Sequence, residues 1–257
     1  MRIASYNING ITSRLPVLLR WLEEAQPDVV CLQELKTPSE RFPRAEIEKA
    51  GYSAIWHGQQ RWNGVAMLSR VGEPVEIRRA LPNDPDLAQS RYLEAAVSGV
   101  LIAGFYAPNG NPWPGPKFGY KLAWLTELRR HGASLFKAKA PVVMIGDYNI
   151  IPTERDAYKA ERWVKDALFA PEARALYAEL LADGWTDALD TYFKGDPPFT
   201  FWHYWRNSFA RDAGIRIDHA LLNKVAARRL VAAGVDREPR GWDGTSDHAP
   251  VWVELKV

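Results

Sequence analysis

In the stretch Pro141-Val142-Val143-Met144-Ile145-Gly146-Asp147-Tyr148-Asn149, an apolar run stops on a carboxylate, a phenol and a carboxamide. So short and uniform a run suits a strand covered on both faces, which leaves the polar residues at its end. A carboxylate at the end of a buried strand is well placed to hold or deprotonate a water. Asn149 could give its amide to a phosphate oxygen. An Asx-type turn accounts for the same pair through backbone chemistry, and within this block the two readings weigh equally.

The pattern recurs on either side. Ser5-Tyr6-Asn7-Ile8-Asn9-Gly10 follows a first apolar run, and Gln33-Glu34 follows Val29-Val30-Cys31-Leu32. Tyr106-Ala107-Pro108-Asn109-Gly110, Arg216-Ile217-Asp218-His219 and Ser246-Asp247-His248 complete the set. Each block is placed where a buried strand should end. Six strand ends converging on one spot would make a metal and phosphate site. Asn7 and Glu34 offer oxygen donors, which suit a hard ion such as Mg2+ better than zinc. Singly, each reads as well as a turn Asn and an exposed acid. In Asp247-His248 the acid can fix one tautomer of the ring and raise its basicity, although a lone Asp-His pair is more often ordinary surface or core. The chain has no zinc-type Cys/His spacing, no G-x-S-x-G elbow and no Walker loop.

The segment Phe199-Thr200-Phe201-Trp202-His203-Tyr204-Trp205 is dense in rings and is followed by Arg206 and Arg211. Alternation along a strand would bury one face, with Phe201 and Trp202 in the core, and expose the other. Trp205, nearest the charged turn, is then free to stack on bases or wedge into a duplex. Arg14, Lys36, Arg61, Lys117, Lys121, Arg206 and Arg211 are candidates to track a phosphate backbone, with solvated surface charge as the ordinary reading of each.

Strands are predicted at 2–6, 29–33, 52–56, 65–69, 91–98, 101–106, 141–145, 215–222 and 250–255, with a hairpin around Gly99. Helical spacing is predicted at 15–25, 117–135 and 171–181, the last with Pro171 in its first turn. Two packed sheets with helices outside, an α/β sandwich, fit this order best. With 47% apolar residues in 257, and no repeat or low-complexity tract, one compact domain spanning 1–257 is expected. Trp21, Trp124, Trp185 and Trp252 are assigned to the core. A net charge of +2 does not by itself announce a polyanion partner, so a local basic face is required. The single Cys31 reads as a buried thiol. No apolar stretch is long enough to span a membrane and no leader is seen, so a soluble cytoplasmic protein is expected.

In order and interval the blocks resemble the exonuclease III family of DNA-repair nucleases, within the endonuclease/exonuclease/phosphatase superfamily. The resemblance runs from Ile3 to Leu255. It is carried by Tyr6–Gly10, Cys31–Lys36, Gly64–Ala66, Tyr106–Gly110, Gly146–Asn149, Arg216–His219 and Ser246–Pro250. It implies a four-layer αββα sandwich, with two mostly antiparallel sheets flanked by helices and the site at one edge.

The resemblance also implies roles. Glu34 would be the principal Mg2+ ligand, with Asn7 and Asp247 near the ion and Mn2+ as a possible substitute. Asp147 would orient or deprotonate the attacking water. Asn149 and Asn109 would hold the phosphate, and Tyr106 would contact it or assist the leaving oxygen. His248, oriented by Asp218, would bind the phosphate. Trp205, Arg206 and Arg211 would meet DNA. The implied enzyme is a monomer acting on double-stranded DNA, incising 5′ to abasic sites and trimming 3′ ends by metal-assisted in-line water attack. Another phosphoesterase of the superfamily, or a binding protein of the same fold without catalysis, are the rival readings. One departure stands out. Where the family often has a Trp walling the abasic-sugar pocket, this chain has Ile215, which predicts a looser pocket.

Overall fold

The computed structural model describes residues 1–256. Two six-stranded sheets face each other. The first runs β11 (Leu230–Val235), β12 (Val251–Leu255), β1 (Arg2–Asn7), β2 (Val29–Gln33), β4 (Val65–Ser69), β3 (Ser53–His57). The second runs β5 (Val75–Arg78), β6 (Tyr92–Val97), β7 (Val100–Tyr106), β8 (Val142–Asp147), β10 (Asp218–Leu222), β9 (Thr186–Asp187). Among the described residues only the β1–β2 and β7–β8 pairs are parallel, so both sheets are mostly antiparallel, as expected.

Side-chain alternation explains why the strand sequences are apolar throughout. Val143 and Ile145 of β8 point between the sheets, where they meet Ile3, Val29, Cys31 and Val251. Val142 and Met144 point outward, against Trp124 and Leu128 of α3 (Pro116–Phe136) and Tyr177 of α4 (Pro171–Ala182). On the other side, Ala4, Tyr6, Val30 and Leu32 face Leu18, Trp21 and Leu22 of α1 (Ile11–Ala25) and Ile47 of α2 (Arg44–Lys49). Both faces of each central strand are covered, and period-two patterning collapses into a continuous apolar run. The four αββα layers follow. Two short helices, α5 (Ala188–Tyr192) and α6 (Lys224–Ala227), complete the chain. No helix among the described residues is long and apolar enough to cross a membrane.

Strand direction corrects one expectation. The polar blocks do lie at one edge, but not all at strand ends. Asp218 opens β10, which runs antiparallel to β8, and Ser246–His248 precede β12, which runs antiparallel to β1. The starts of those two strands therefore fall beside the ends of β1, β2, β7 and β8. Strand β10 also begins later than predicted, because the Thr200 hydroxyl accepts the N–H groups of Ile217 (3.1 Å) and Asp218 (3.2 Å).

The aromatic segment 199–205 is not a strand. Phe201 makes isolated bridges to Ile215 and His248, after which positive φ at Arg206 and Asn207 turns the chain. Trp202 is buried and Phe201 partly so, while Tyr204 and Trp205 are exposed. Of the four core tryptophans expected, Trp21, Trp124 and Trp185 are buried; Trp252 is half-buried under the Arg2 guanidinium, 4.0 Å from its ring. Cys31 is buried.

Candidate active site

Register brings the predicted residues together. Asp147 is the ladder partner of both Tyr106 on β7 and Asp218 on β10, and Asn7 pairs with Gln33, one residue before Glu34. The Asn7 amide donates to Glu34 Oε1 (2.9 Å) on its own sheet and, across the gap between the sheets, to Asp147 Oδ2 (3.0 Å). The Ser246 hydroxyl donates to the Asn7 carbonyl (2.6 Å), which fixes the segment carrying His248 against β1.

His248 is buried between two carboxylates. Its Nδ1 donates to Asp218 Oδ2 (2.8 Å), and its Nε2 lies 3.8 Å from Asp147 Oδ2. Burial works against the imidazolium, but Asp218 and then Asp147 outweigh it and raise the His248 pKa to about 10. Asp147 moves the opposite way from an ordinary carboxylate. Burial first, then the charge of Asp218, raise its pKa to about 7, with His248 and the Asn7 amide pulling against them. Burial, followed by the Glu34 and Asp147 carboxylates, holds the Tyr106 phenol well above its usual value. Near neutral pH the edge thus presents an imidazolium, a phenol that keeps its proton, and a carboxylate poised as a base.

Asn149, held at φ 51°, donates its backbone N–H to Asp147 Oδ1 (2.8 Å) and its side-chain amide to the Ala107 carbonyl (2.9 Å), and its Oδ1 accepts from Asn109 Nδ2 (3.1 Å). The two carboxamides form one unit. Asp147, Asp218 and His248 each bring a ligand atom to within 4.8 Å of the others, and Asp218 Oδ1 is buried with no partner among the described residues, so with His248 deprotonated this group could hold a metal ion.

Other predicted residues are placed differently. Asp247 does not meet Glu34. Its Oδ1 accepts from Asn9 Nδ2 (3.0 Å), Asn9 Oδ1 accepts from Lys36 Nζ (2.5 Å), and Lys36 pairs with Glu34 Oε2 (2.8 Å). Lys121 is fully buried and so tracks no backbone. Arg61 and Lys117 are exposed, and Arg14 donates to the Thr245 carbonyl (3.0 Å) and the Tyr204 hydroxyl (3.1 Å). Ile215 is buried with Ile151, Leu168 and Phe169, and Phe201 packs over that cluster. Trp205, Arg206 and Arg211 line a cavity of about 320 Å3. There the Trp205 ring stacks on His203 (4.2 Å), which stacks in turn on Trp163 (5.9 Å).

Sequence reasoning missed several supporting groups. The Thr200 hydroxyl donates to Asp218 Oδ2 (2.7 Å), and the Arg91 guanidinium sits 5.0 Å from the Tyr106 ring center. Thr200 was hidden among rings, and nothing local in the sequence distinguishes Arg91 from a surface arginine.

A two-sheet sandwich whose edge gathers carboxylates, carboxamides, a phenol and an imidazolium defines a phosphoester-hydrolase architecture. The chain belongs to the endonuclease/exonuclease/phosphatase family, whose model matches residues 4–248. It is 34% identical to exodeoxyribonuclease III of Haemophilus influenzae, with all of both chains covered. Among solved structures it is similar to the 3′ phosphatase NExo from Neisseria bound to product DNA hairpin, with a TM-score of 0.95, 35% identity and full coverage of both chains. An AP endonuclease from Archaeoglobus fulgidus matches with the same TM-score and coverage at 30% identity.

Proposed function

We propose that the protein is a Mg2+-dependent DNA-repair nuclease that incises duplex DNA 5′ to abasic sites and trims 3′ ends. The observation that carries this reading is the buried Asp147 carboxylate, set between the Asn7 amide and the His248 imidazolium at one shared edge of the two sheets. Glu34 would be the principal residue to hold the ion, as a hard oxygen donor on the first sheet, with the Asn7 amide beside it on Glu34 Oε1 (2.9 Å). A bound divalent cation supplies Lewis acidity toward the phosphoryl oxygens.

The chain's own groups do the rest. Asp147, with its pKa near 7, holds and deprotonates the attacking water. His248 and the Asn109–Asn149 pair offer positive charge and N–H donors to the phosphoryl oxygens. Tyr106, kept protonated, donates toward the leaving oxygen. Trp205, exposed beside Arg206 and Arg211, meets the duplex by stacking. Ile215, standing where the family often has a pocket-walling Trp, favors a second emphasis within the same chemistry, 3′-end trimming over abasic incision.

One labelled duplex with a central abasic analogue tests both, with Mg2+, with EDTA, and with Asp147→Asn. A single Mg2+-dependent nick 5′ to the analogue, lost in the variant, is the expected result. A ladder shortening from the 3′ end makes exonuclease the main activity. Cleavage in EDTA, or undiminished cleavage by Asp147→Asn, would overturn the mechanism.

A further inference from the structure

Helix α3 carries one ammonium group into the interior, directly beneath the phosphate-facing carboxamides. Lys121 is fully buried, and its Nζ donates to the main-chain carbonyls of Asn109 (3.1 Å), Asn149 (2.5 Å) and Ala167 (3.1 Å). That accounts for every N–H an ammonium has. Among the described residues no carboxylate pairs with it; the acidic groups that bear on it are Asp147 at the end of β8 and Asp166 ahead of α4. Burial pulls its pKa down to about 7. A residue needed only to fill this space would serve better as Met or Leu, because an ammonium in the interior is costly to desolvate.

The three carbonyls belong to three separate segments: the loop after β7, the loop after β8, and the turn before α4. None of these segments is held to the others by a sheet ladder at this point. Gly110 shows how closely the first of them is seated. It lies at φ +91°, and a Cβ there would fall 2.7 Å from Lys121 Cδ. The side chains above are linked in turn, Asn109 Nδ2 donating to Asn149 Oδ1 (3.1 Å).

We propose that Lys121 is a positioning residue of the phosphate site: its buried ammonium pins the main chain of Asn109 and Asn149, so that their carboxamides hold a single geometry toward the scissile phosphate. The proposal rests on the reading of those two carboxamides as phosphate donors. Lys121 itself touches no substrate. Side-chain and main-chain bonds already link these segments in pairs, such as Ala167 N–H to Asn111 Oδ1 (3.0 Å) and Ile151 N–H to the Leu168 carbonyl (2.8 Å). Lys121 adds one group that holds all three at once, and a small misplacement of a reacting group is costly to rate.

The test is a double-variant cycle with Asn149, read as kcat and KM on the duplex substrate and on a small phosphodiester. Lys121→Met keeps the stem and removes the donors. It is expected to lower kcat roughly 10–100-fold on both substrates while KM for DNA changes less than about threefold. Asn149→Ala should be strongly impaired in the wild-type background, yet cost less than about threefold more once Lys121 is gone, because both variants damage one unit. A packing role alone would give multiplicative losses, and those would overturn the proposal, as would wild-type kcat in Lys121→Met. Wild-type kcat in Asn149→Ala would instead overturn the phosphate reading beneath it. If Lys121→Met does not fold, Lys121→Gln, with an amide donor on a shorter stem, carries the same cycle with a loss nearer tenfold.

Discussion

At the scale of single residues, the site is a balance of charges that burial makes expensive. His248 is kept as an imidazolium chiefly by Asp218, since burial by itself would lower its pKa. The sign is fixed by the direction of the shift. A histidine whose folded pKa is raised stays charged below that value, here about 10, and loses its charge as pH rises through it. Asp147, raised to about 7, becomes a usable base only as pH rises through that value. The profile of kcat/KM is therefore expected to climb near pH 7 and fall near pH 10. Asp218→Asn keeps a hydrogen-bond acceptor but removes the charge, so burial should dominate and the falling limb should move at least one pH unit lower. An unmoved limb would show that Asp218 does not maintain the His248 charge. The same linkage applies to stability: the His248–Asp218 pair contributes fully below the unfolded histidine pKa and is lost as pH rises toward 10.

At the scale of elements, the head of β10 is tied by a buried network of charges. Arg216, just ahead of it, is buried and pairs with Asp156 and Asp187, each at 2.6 Å, and Asp187 also accepts from the Tyr177 hydroxyl (2.8 Å). His219 packs beside it, with Nδ1 3.1 Å from the Arg216 guanidinium. One cation thus joins the head of β10 to β9 and to the 154–156 turn, and Asp187 carries the link on to Tyr177 of α4. Arg216→Met leaves two buried carboxylates without their partner, and a loss of about 3–5 kcal/mol is expected in urea unfolding. A loss below about 1 kcal/mol would mean water reaches the site.

The same element shows what the sequence could and could not convey. Asp218 was legible as a site residue because of the block around it, but its place at the start of the strand was not. That depends on Thr200, eighteen positions away, taking the ladder bonds that Ile217 and Asp218 would otherwise make. Strands β2 and β4 were legible to the residue, since both faces are covered and the apolar run is unbroken. Strand β5 was not, because all of its residues are exposed and no burial pattern marks it. Strand β11 lies half-exposed at an edge, with Ala232, Ala233 and Gly234 giving little strand signal. Helix α1 begins at Ile11, ahead of the expected start at Leu15, because the Gly10 and Ile11 N–H groups bond to the Glu34 and Leu35 carbonyls, a contact no local pattern reveals.

At the scale of the molecule, the site belongs to neither sheet. Asn7 and Glu34 come from the first, Asp147, Tyr106 and Asp218 from the second, so the spacing of the sheets sets the geometry of the chemistry. The sheets approach closely where β7 crosses β2. A Cβ on Gly104 would stand 2.6 Å from Cys31 Sγ and 2.9 Å from Cys31 Cβ, so the glycine lets the sheets approach. Gly104→Ala should force them apart or twist Cys31 off its rotamer, at a cost of about 1–3 kcal/mol. Because the Asn7–Asp147 bond of 3.0 Å spans the same gap, the variant should also lose rate. Cys31→Ala removes the obstructing sulfur, so the double variant should recover part of both losses, a coupling visible in urea unfolding and in kcat measured together. Recovery of stability without recovery of rate would show that the catalytic edge is set locally by its loops. Recovery of both would establish that the packing between the sheets holds the two halves of the site in register.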